Sequence, residues 1–160
     1  MDRSKVPFPK EPPTPEYLLE ILFKTTHYIH SQFEAHLSAQ EVPSYLTGPR
    51  MRFLKVIDEA GKIRMSDLAT KLGIKKRTVT QFVDALEKEN IIVRIPDPND
   101  RRATLIQITE TATPLIKRTG DAMIEAAAKV MDSFPSESRS YLLYLLYQLA
   151  DVKESNDDMN

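Results

Sequence analysis

The chain has 160 residues, of which 41% are hydrophobic, and a formal net charge of -1. This suits one folded domain with a core and an appended interaction layer, and the net charge alone indicates no partner. The absence of cysteine excludes disulfides and thiolate metal sites, and without a signal-peptide core or an apolar run of ~20 residues we expect a soluble, cytoplasmic protein with no membrane partner.

The N-terminal part predicts an extended arm followed by a long helix. Residues 6–15 contain five prolines, so residues 1–13 are expected to form a polyproline-like arm. Thr14 and Pro15 then supply a hydroxyl cap and a first-turn proline, a typical helix start. Apolar residues recur from there at steps of three and four, which predicts an amphipathic helix ending near Gln40.

Three shorter helices are predicted in the middle of the chain. The first covers residues 47–60, is capped by Thr47, and buries Met51, Leu54, Val56 and Ile57. The second covers residues 66–72 and stops at Gly73. The third covers residues 75–89 and buries Val79, Phe82, Val83 and Leu86, and the following Asn90 suits a left-handed helix end.

Residues 91–108 predict a β-hairpin. β-Branched residues dominate 91–95 and 104–108, and the residues between them are turn-forming prolines, aspartates and asparagine. A turn does not need arginines, yet Arg101 and Arg102 stand at its tip beside Asp100. We expect Asp100 to brace one of the two guanidinium groups by a charge-assisted hydrogen bond.

The C-terminal part predicts two helices. One starts at Thr113 and Pro114, and it breaks at Phe134 and Pro135 before a last helix capped by Ser136. In that helix the stretch YLLYLLYQLA, residues 141–150, is apolar nearly all round. Because it is too short to cross a bilayer, we expect it to be buried against another chain, with a flexible tail at 153–160.

The two helices on either side of Gly73 have the plan of a helix-turn-helix at about residues 64–89. The second helix of such a motif presents its N-terminal, solvent-facing side to the major groove of DNA. Arginine there can bind guanine, glutamine can bind adenine and threonine can meet a thymine methyl. The residues on that side are Lys76, Arg77, Thr78, Thr80 and Gln81.

Positive charge is concentrated in the same region. Residues 62–102 contain ten Lys or Arg and six Asp or Glu, hence +4, whereas the whole chain carries -1. A basic region on a weakly acidic protein is typical of a phosphate-binding surface. The hairpin would then be a wing, at about residues 91–108, whose Arg101 or Arg102 enters the minor groove.

On these residues the sequence resembles the MarR (multiple-antibiotic-resistance regulator) family of winged helix-turn-helix repressors. The resemblance spans residues 16–152 and rests on LTGPRMRFLKVI, MSDLATKLGIKKRTVTQFVDALEKENIIVRI and DPNDRRATLIQIT. The last contains the family's wing pattern, Asp100-x-Arg102 followed by a strand and Thr109. The resemblance implies a mainly α (α+β) fold, with a dimerisation helix at 14–45, a DNA-binding lobe with a two-strand wing at 46–110, and C-terminal dimerisation helices at 111–152.

The resemblance also implies a function. Family members are homodimers that bind a pseudo-palindromic operator in double-stranded DNA, and a small aromatic or anionic effector controls them. Candidate polar groups for an effector pocket are His30, Tyr45 and Arg50. The alternative is a dimeric helical adaptor whose winged domain binds protein. Because the sequence lacks catalytic motifs, we expect neither enzyme activity nor a cofactor.

Two positions depart from the family pattern. Lys75 replaces the small hydroxyl residue that usually caps the recognition helix, which puts positive charge at the positive helix end at a cost of ~0.3–1 kcal/mol. We interpret Lys75 as a phosphate contact, with a solvated lysine as the alternative. Asn90 replaces the glycine that usually follows this helix, which is a conservative change.

Histidines on the first helix raise one further alternative. His27 and His30 are three residues apart, so two imidazoles could share a metal ion if a carboxylate such as Glu34 completed the site. The chain has no cysteine and no histidine beyond His36. We therefore expect no metal site and interpret these residues as ordinary helix histidines, with a metal or pH response as the alternative.

Overall fold

The computed structural model describes residues 10–150. In chain order these residues form α1 (Pro15–Ser38), α2 (Gly48–Ala60), β1 (Ile63–Arg64), α3 (Met65–Leu72), α4 (Lys76–Lys88), β2 (Ile92–Asp97), β3 (Asp100–Ile108), α5 (Thr113–Met131) and α6 (Arg139–Ala150). The expected mainly helical fold with a small sheet is confirmed. The predicted tail and most of the predicted arm lie outside the described residues.

The chain divides into two compact units. One consists of the residues up to Glu34 together with those from Ala126 onward, and the other is Ala35–Glu125. The second unit holds α2, α3, α4 and the three strands, so it contains all parts of the predicted DNA-binding lobe.

Helix α1 begins where the sequence predicts. The Thr14 hydroxyl oxygen accepts the N–H of Tyr17 at 3.4 Å, the bond that an N-cap side chain makes in the first turn. The helix ends at Ser38, two residues before the predicted end. Several of its large apolar side chains are exposed in the single chain: Tyr17, Leu18, Leu19, Ile21, Phe23, Tyr28 and Ile29.

Two predicted side-chain caps are wrong. Thr47 occupies the N-cap position of α2, but its hydroxyl makes no capping hydrogen bond. One of the two amides that such a cap can reach is missing, because Pro49 in the first turn has no N–H. Ser136 does not cap α6 either, since it starts a short 3-10 turn, Ser136–Ser138, that precedes the helix.

The turn between α3 and α4 is closed as the glycine predicts. Gly73 has φ 60, and its N–H donates to the Thr70 oxygen at 3.2 Å while the Ile74 N–H donates to the Ala69 oxygen at 3.1 Å. This pair of bonds is the Schellman end of a helix, which favours glycine at the left-handed position. Helix α4 then starts at Lys76, with Lys75 as its N-cap.

The hydrophobic core of the second unit fills the space between α2, α3, α4 and the sheet. Phe53 of α2 is fully buried although it was not among the predicted core residues, whereas Met51 and Val56 are only partly buried. The Phe53 ring meets the Phe82 ring edge to face, with centroids 5.5 Å apart. The other large buried side chains of this core are Leu54, Ile57, Leu68, Val79, Val83, Leu86, Ile92 and Ile106.

The sheet has three antiparallel strands in the order β1-β3-β2 rather than the predicted two. Residues Ile63 and Arg64 pair with Ile106 and Leu105 of β3. A two-residue strand shows no alternation of apolar and polar residues, so the sequence carries no periodic signal for it. Burial of Ile63 opposite Ile106 adds this strand to the core.

The hairpin strands are longer than predicted, and the arginines do not lie in the turn itself. Strands β2 and β3 continue to a two-residue turn, Pro98 and Asn99. Their register shifts between Pro96, which pairs with Thr104, and Asp97, which pairs with Asp100. Residues 101–103 therefore bulge from β3 without partners on β2. Arg101 and Arg102 belong to this bulge.

The end of α4 confirms the prediction made for Asn90. Its φ is 60, and the N–H of the next residue, Ile91, donates to the Leu86 oxygen at 2.9 Å. The Asn90 carbonyl oxygen in turn accepts the hydroxyl of Thr109 at 2.7 Å. This left-handed residue lets the chain leave the helix and enter β2 at once.

The C-terminal helix α6 buries none of its residues within the single chain. Leu145, Leu146 and Leu149 are all more than two-fifths exposed, and Tyr141 and Tyr144 stack on each other with ring centroids 6.5 Å apart. Within residues 10–150, no helix is both long and apolar enough to cross a membrane. The apolar surface of α6 is thus left for another protein surface to cover.

Replacing Asn90 tests the helix end. Asn90→Ala should lower the free energy of unfolding by about 1 kcal/mol, because alanine is strained at positive φ, while Asn90→Gly should leave it unchanged or slightly higher. Glu89→Ala, at an ordinary φ of -89, is the control. Urea denaturation at one fixed protein concentration measures these differences, and equal stability of Asn90→Ala and Asn90→Gly would contradict the assignment.

Candidate nucleic-acid interface

The N-terminal half of α4 presents most of its predicted DNA-contacting residues to solvent. Lys75, Lys76, Arg77, Thr80 and Gln81 are exposed, and Thr78 is partly buried. The opposite side of the helix carries the buried Val79, Val83 and Leu86. Burial of one side thus fixes which side chains a surface facing the helix would meet.

The start of α4 has no side-chain cap. The Lys75 side chain makes no capping hydrogen bond, and the Lys75 carbonyl oxygen accepts the N–H groups of Thr78 and Val79. The amides of Lys76 and Arg77 come before any intrahelical acceptor. Such N–H groups, at the positive end of the helix dipole and beside three basic side chains, are suited to an anion.

Thr80 offers less hydrogen-bonding capacity than its sequence position suggests. Its hydroxyl donates to the Lys76 carbonyl oxygen at 3.1 Å, within the helix. The hydroxyl can still accept a hydrogen bond, and the methyl group can make an apolar contact. An apolar contact with a thymine methyl is the recognition that this arrangement suits best.

Arg94 forms ion pairs with two acidic side chains of α4. Arg94 lies on strand β2, and its guanidinium group binds the carboxylates of Asp84 and Glu87. The hydrogen bond that Arg94 donates to Asp84, aided by the Glu87 charge, raises the pKa of Arg94 above its ordinary value. Arg94 therefore joins α4 to the sheet, and its charge is balanced by these carboxylates.

A second pair joins β1 to the end of β2. Arg64 Nε and Nη2 donate to Oδ2 of Asp97 at 2.7 and 2.6 Å, and Asp97 Oδ1 accepts the N–H of Asn99 at 2.8 Å. Only 5% of the Asp97 side chain is exposed. The bond from Asn99, followed by that from Arg64, lowers the pKa of Asp97, and the same pairing raises the pKa of Arg64.

The lowered pKa of Asp97 determines how this pair depends on pH. Its stabilisation is complete above the pKa of an unfolded aspartate, about 3.9, and is lost as the pH falls through the lower folded value. At neutral pH the carboxylate is therefore ionised and the pair is intact.

These pairings leave an excess of positive charge on the surface. Without Arg64, Arg94 and their three carboxylate partners, residues 62–102 retain eight Lys or Arg and three Asp or Glu. None of the eight forms an ion pair within the described part of the chain. They are Lys62, Lys71, Lys75, Lys76, Arg77, Lys88, Arg101 and Arg102.

Asp100 supports the wing in a different way from the one predicted. Its Oδ1 accepts the main-chain N–H of Arg102 at 3.0 Å, and it forms no ion pair with Arg101 or Arg102 in the described structure. The predicted brace on a guanidinium is therefore wrong. Asp97 and Asp100 each accept an N–H two residues ahead, the Asx-turn arrangement that holds a tight backbone.

The candidate effector residues fall in both units. Arg50 and Tyr45 belong to the second unit, where Arg50 Nη1 donates to the Tyr45 carbonyl oxygen at 2.7 Å and the guanidinium lies 5.9 Å from the Phe82 ring centroid. His30 belongs to the first unit and lies 3.9 Å from the Glu34 carboxylate. Arg50 thus already serves to hold the segment before α2.

The described residues offer no cluster of ligands for the metal alternative. Within residues 10–150, no group of three or more His, Asp or Glu side chains is placed to hold a metal ion.

Sequence reasoning missed the Arg64–Asp97 pair. The two residues are 33 positions apart, and Arg64 lies on a strand that has no periodic signal. One clue was present, because an aspartate between Pro96 and Pro98 at the end of an apolar strand has few ways to be satisfied except by a cation or by turn amides.

The comparisons with known proteins point to transcriptional regulators. The family model described as "MarR family" matches residues 46–104. The chain is 27% identical to the uncharacterised HTH-type transcriptional regulator YhbI of Bacillus subtilis, covering 84% of this chain and 88% of YhbI. It is 24% identical to the HTH-type transcriptional repressor NicR of Pseudomonas putida, covering 95% and 98% of the two chains.

Solved structures show the same fold. A mutant MarR from E. coli in complex with operator DNA matches with a TM-score of 0.64 and 18% identity over 86% of this chain and 99% of that one. The regulator PcaV from Streptomyces coelicolor with its natural ligand matches with a TM-score of 0.64 and 18% identity over 88% and 94%. Residues 46–104 thus match the MarR family model, and over most of its length the chain is similar to HTH-type transcriptional regulators.

Proposed function

We propose that this protein is a homodimeric transcriptional repressor that binds a pseudo-palindromic operator in double-stranded DNA. The observation that carries the proposal is the uncapped start of α4, where Lys75, Lys76 and Arg77 are exposed and form no ion pair within residues 10–150. A helix start of this kind attracts phosphate, and the next exposed turn carries base-reading side chains.

The major groove is the place proposed for α4. Arg77 can donate two hydrogen bonds to guanine, and Gln81 can pair with adenine. Lys75 and Lys76 at the helix start are suited to phosphates, which fix the position of the helix without reading sequence. The partly buried Thr78 and the methyl group of Thr80 would contact the DNA directly, without reaching as far as the arginine and lysine side chains.

The minor groove is the place proposed for the wing. Arg101 and Arg102 lie on a bulge of β3, exposed and without ion pairs in the described residues. Arginines inserted in a narrow minor groove respond to groove width and negative potential more than to base identity. The Asp97 and Asp100 turns supply the rigid backbone that such an insertion needs.

The apolar surfaces of α1 and α6 are the proposed dimer interface. Both helices expose large hydrophobic side chains in the single chain. A dimer formed through them would contain two copies of α4, so the operator is expected to consist of two half-sites about one helical turn apart. The adaptor alternative has no comparable support, because an unpaired basic face suits a polyanion better than a protein surface.

Control by a small aromatic or anionic molecule is the proposed means of release. The similarity to PcaV, whose structure holds its natural ligand, and the match of residues 46–104 to the MarR family model support this part. His30, Tyr45 and Arg50 remain the proposed polar contacts of the effector. We propose no catalytic role, no cofactor and no metal, and a cytoplasmic location, where the DNA would be.

Variants of the two DNA-contacting elements should behave differently. Arg77→Ala or Gln81→Ala should cost about 1–3 kcal/mol and relax base choice at one position in each half-site. Arg102→Ala should weaken binding to all sites with similar flanks and leave the half-site preference unchanged, since the minor groove is read mainly by shape. Selection of bound duplexes from a random pool, at one fixed salt concentration, measures both effects.

Lys129→Ala, at the C-terminal end of α5, is the control and should select the same sites as the parent. Parent-like affinity and selection by Arg77→Ala, Gln81→Ala and Arg102→Ala together would contradict DNA recognition by α4 and the wing.

A charge on α6 tests the dimer. Leu145→Glu should give poorly folded protein rather than a stable monomer, because it would place an unpaired carboxylate in an interface on which folding depends. Gln148→Glu, which adds the same charge at an exposed polar position of the same helix, is the control. Light scattering and thermal melting measure mass and folding. A folded parent protein of monomer mass would contradict the proposed interface.

A further inference from the structure

Arg64 connects the two outer strands of the sheet. It lies on β1, opposite Leu105 of the central strand β3, yet its guanidinium binds Asp97 of β2. The two side chains together thus link strands that are not hydrogen-bonded neighbours. It is also the N-cap residue of α3 and makes no capping bond there. Its hydrogen-bonding capacity is directed to the wing instead of to its own helix.

Asp97 joins strand β1, the end of β2 and the turn that follows β2. Its Oδ2 accepts both Arg64 donors, its Oδ1 accepts the Asn99 N–H of the two-residue turn, and its backbone lies where β2 ends. A carboxylate this deeply buried requires a partner, so loss of Arg64 would leave it poorly compensated.

The register of the wing shifts at the same place. Residues 101–103 have no partner on β2, and Pro96 has no N–H to offer the sheet. The strand pairs that flank the bulge thus leave residues 101–103 themselves unsupported by β2. The bonds that remain are those of Asp100 to the Arg102 N–H and of Asp97 to Arg64 and Asn99.

We propose that Arg64 is a positioning residue for DNA recognition, which holds the shifted register of the wing through Asp97 and thereby sets where Arg101 and Arg102 enter the minor groove. This inference rests on the proposed function. It assigns a role to a residue outside the recognition helix and the wing.

A direct contact between Arg64 and a phosphate is the competing explanation, because 41% of the Arg64 side chain is exposed. The two explanations differ in the effect expected of Asp97→Asn. If Arg64 only supplied charge, removing the neighbouring carboxylate would strengthen binding to DNA. If Arg64 positions the wing, Asp97→Asn must weaken binding although it removes a negative charge.

The experiment measures binding to a selected operator duplex, at fixed salt, by the parent protein, Arg64→Ala, Asp97→Asn and the double variant. We expect each single variant to bind about two- to tenfold more weakly, since the long wing side chains must then be ordered on binding, and the double variant to be no weaker than the weaker single variant. Arg64→Lys should recover part of the affinity. Asp67→Asn is the charge-matched control, because the Asp67 charge also acts on Arg64, and it should bind as well as the parent or better.

A second measurement distinguishes positioning of the wing from general destabilisation of the fold. Arg64→Ala and Asp97→Asn should lose preference among duplexes that differ only in flanking minor-groove width, whereas general destabilisation would weaken binding to all of them equally. Binding by Asp97→Asn as tight as that of Asp67→Asn, additive effects in the double variant, or unchanged flank preference would each overturn the proposal.

Amide hydrogen exchange of the protein without DNA keeps this test separate from that of the proposed function. Exchange at Asn99 and Arg102 should be faster in Arg64→Ala and Asp97→Asn than in the parent, while the amides of α4 exchange as before. Unchanged exchange at both residues would overturn the role of Arg64. Failure of the parent protein to bind any duplex would overturn the proposed function, and with it the role of Arg64 in recognition.

Discussion

Pairing of charges within the winged unit determines which of its basic side chains can meet another molecule. Arg94 is held by Asp84 and Glu87, and Arg64 by Asp97. These bonds use three carboxylates that would otherwise weaken a positive surface, and each also joins two elements of the fold. The remaining lysines and arginines at the start of α4 and on the wing bulge form no ion pair with any residue from 10 to 150. The same interactions therefore order the wing and concentrate the positive charge.

The positions of α4 and the wing depend on local backbone chemistry. Asn90, at positive φ, ends the recognition helix and turns the chain into β2 within one residue. Gly73 does the same between α3 and α4. Left-handed residues thus end both α3 and α4. Because Phe53 of α2 also packs against Phe82 of α4, the exposed side of α4 is held in one orientation.

Much of this organisation could be predicted from the sequence because it depends on local signals. Helix periodicity, glycine and asparagine helix ends, and the turn residues of the hairpin predicted the helices and the wing close to their observed positions. The third strand, the Arg64–Asp97 pair and the bulge at residues 101–103 were not predicted, because each depends on contacts between distant parts of the chain. Asp100 is instructive, since its importance to the wing was recognised but its partner proved to be a backbone amide rather than a guanidinium.

The proposed function requires two copies of α4 and two wings to bind one duplex. Hydroxyl-radical footprinting of the protein on a fragment selected from genomic DNA tests it most directly. We expect a two-fold symmetric pattern, with the two half-sites about 10–10.5 base pairs apart, or a multiple of that, and protection extending into the flanking minor grooves. Absence of protection at physiological salt, or one asymmetric patch without a second half-site, would contradict it.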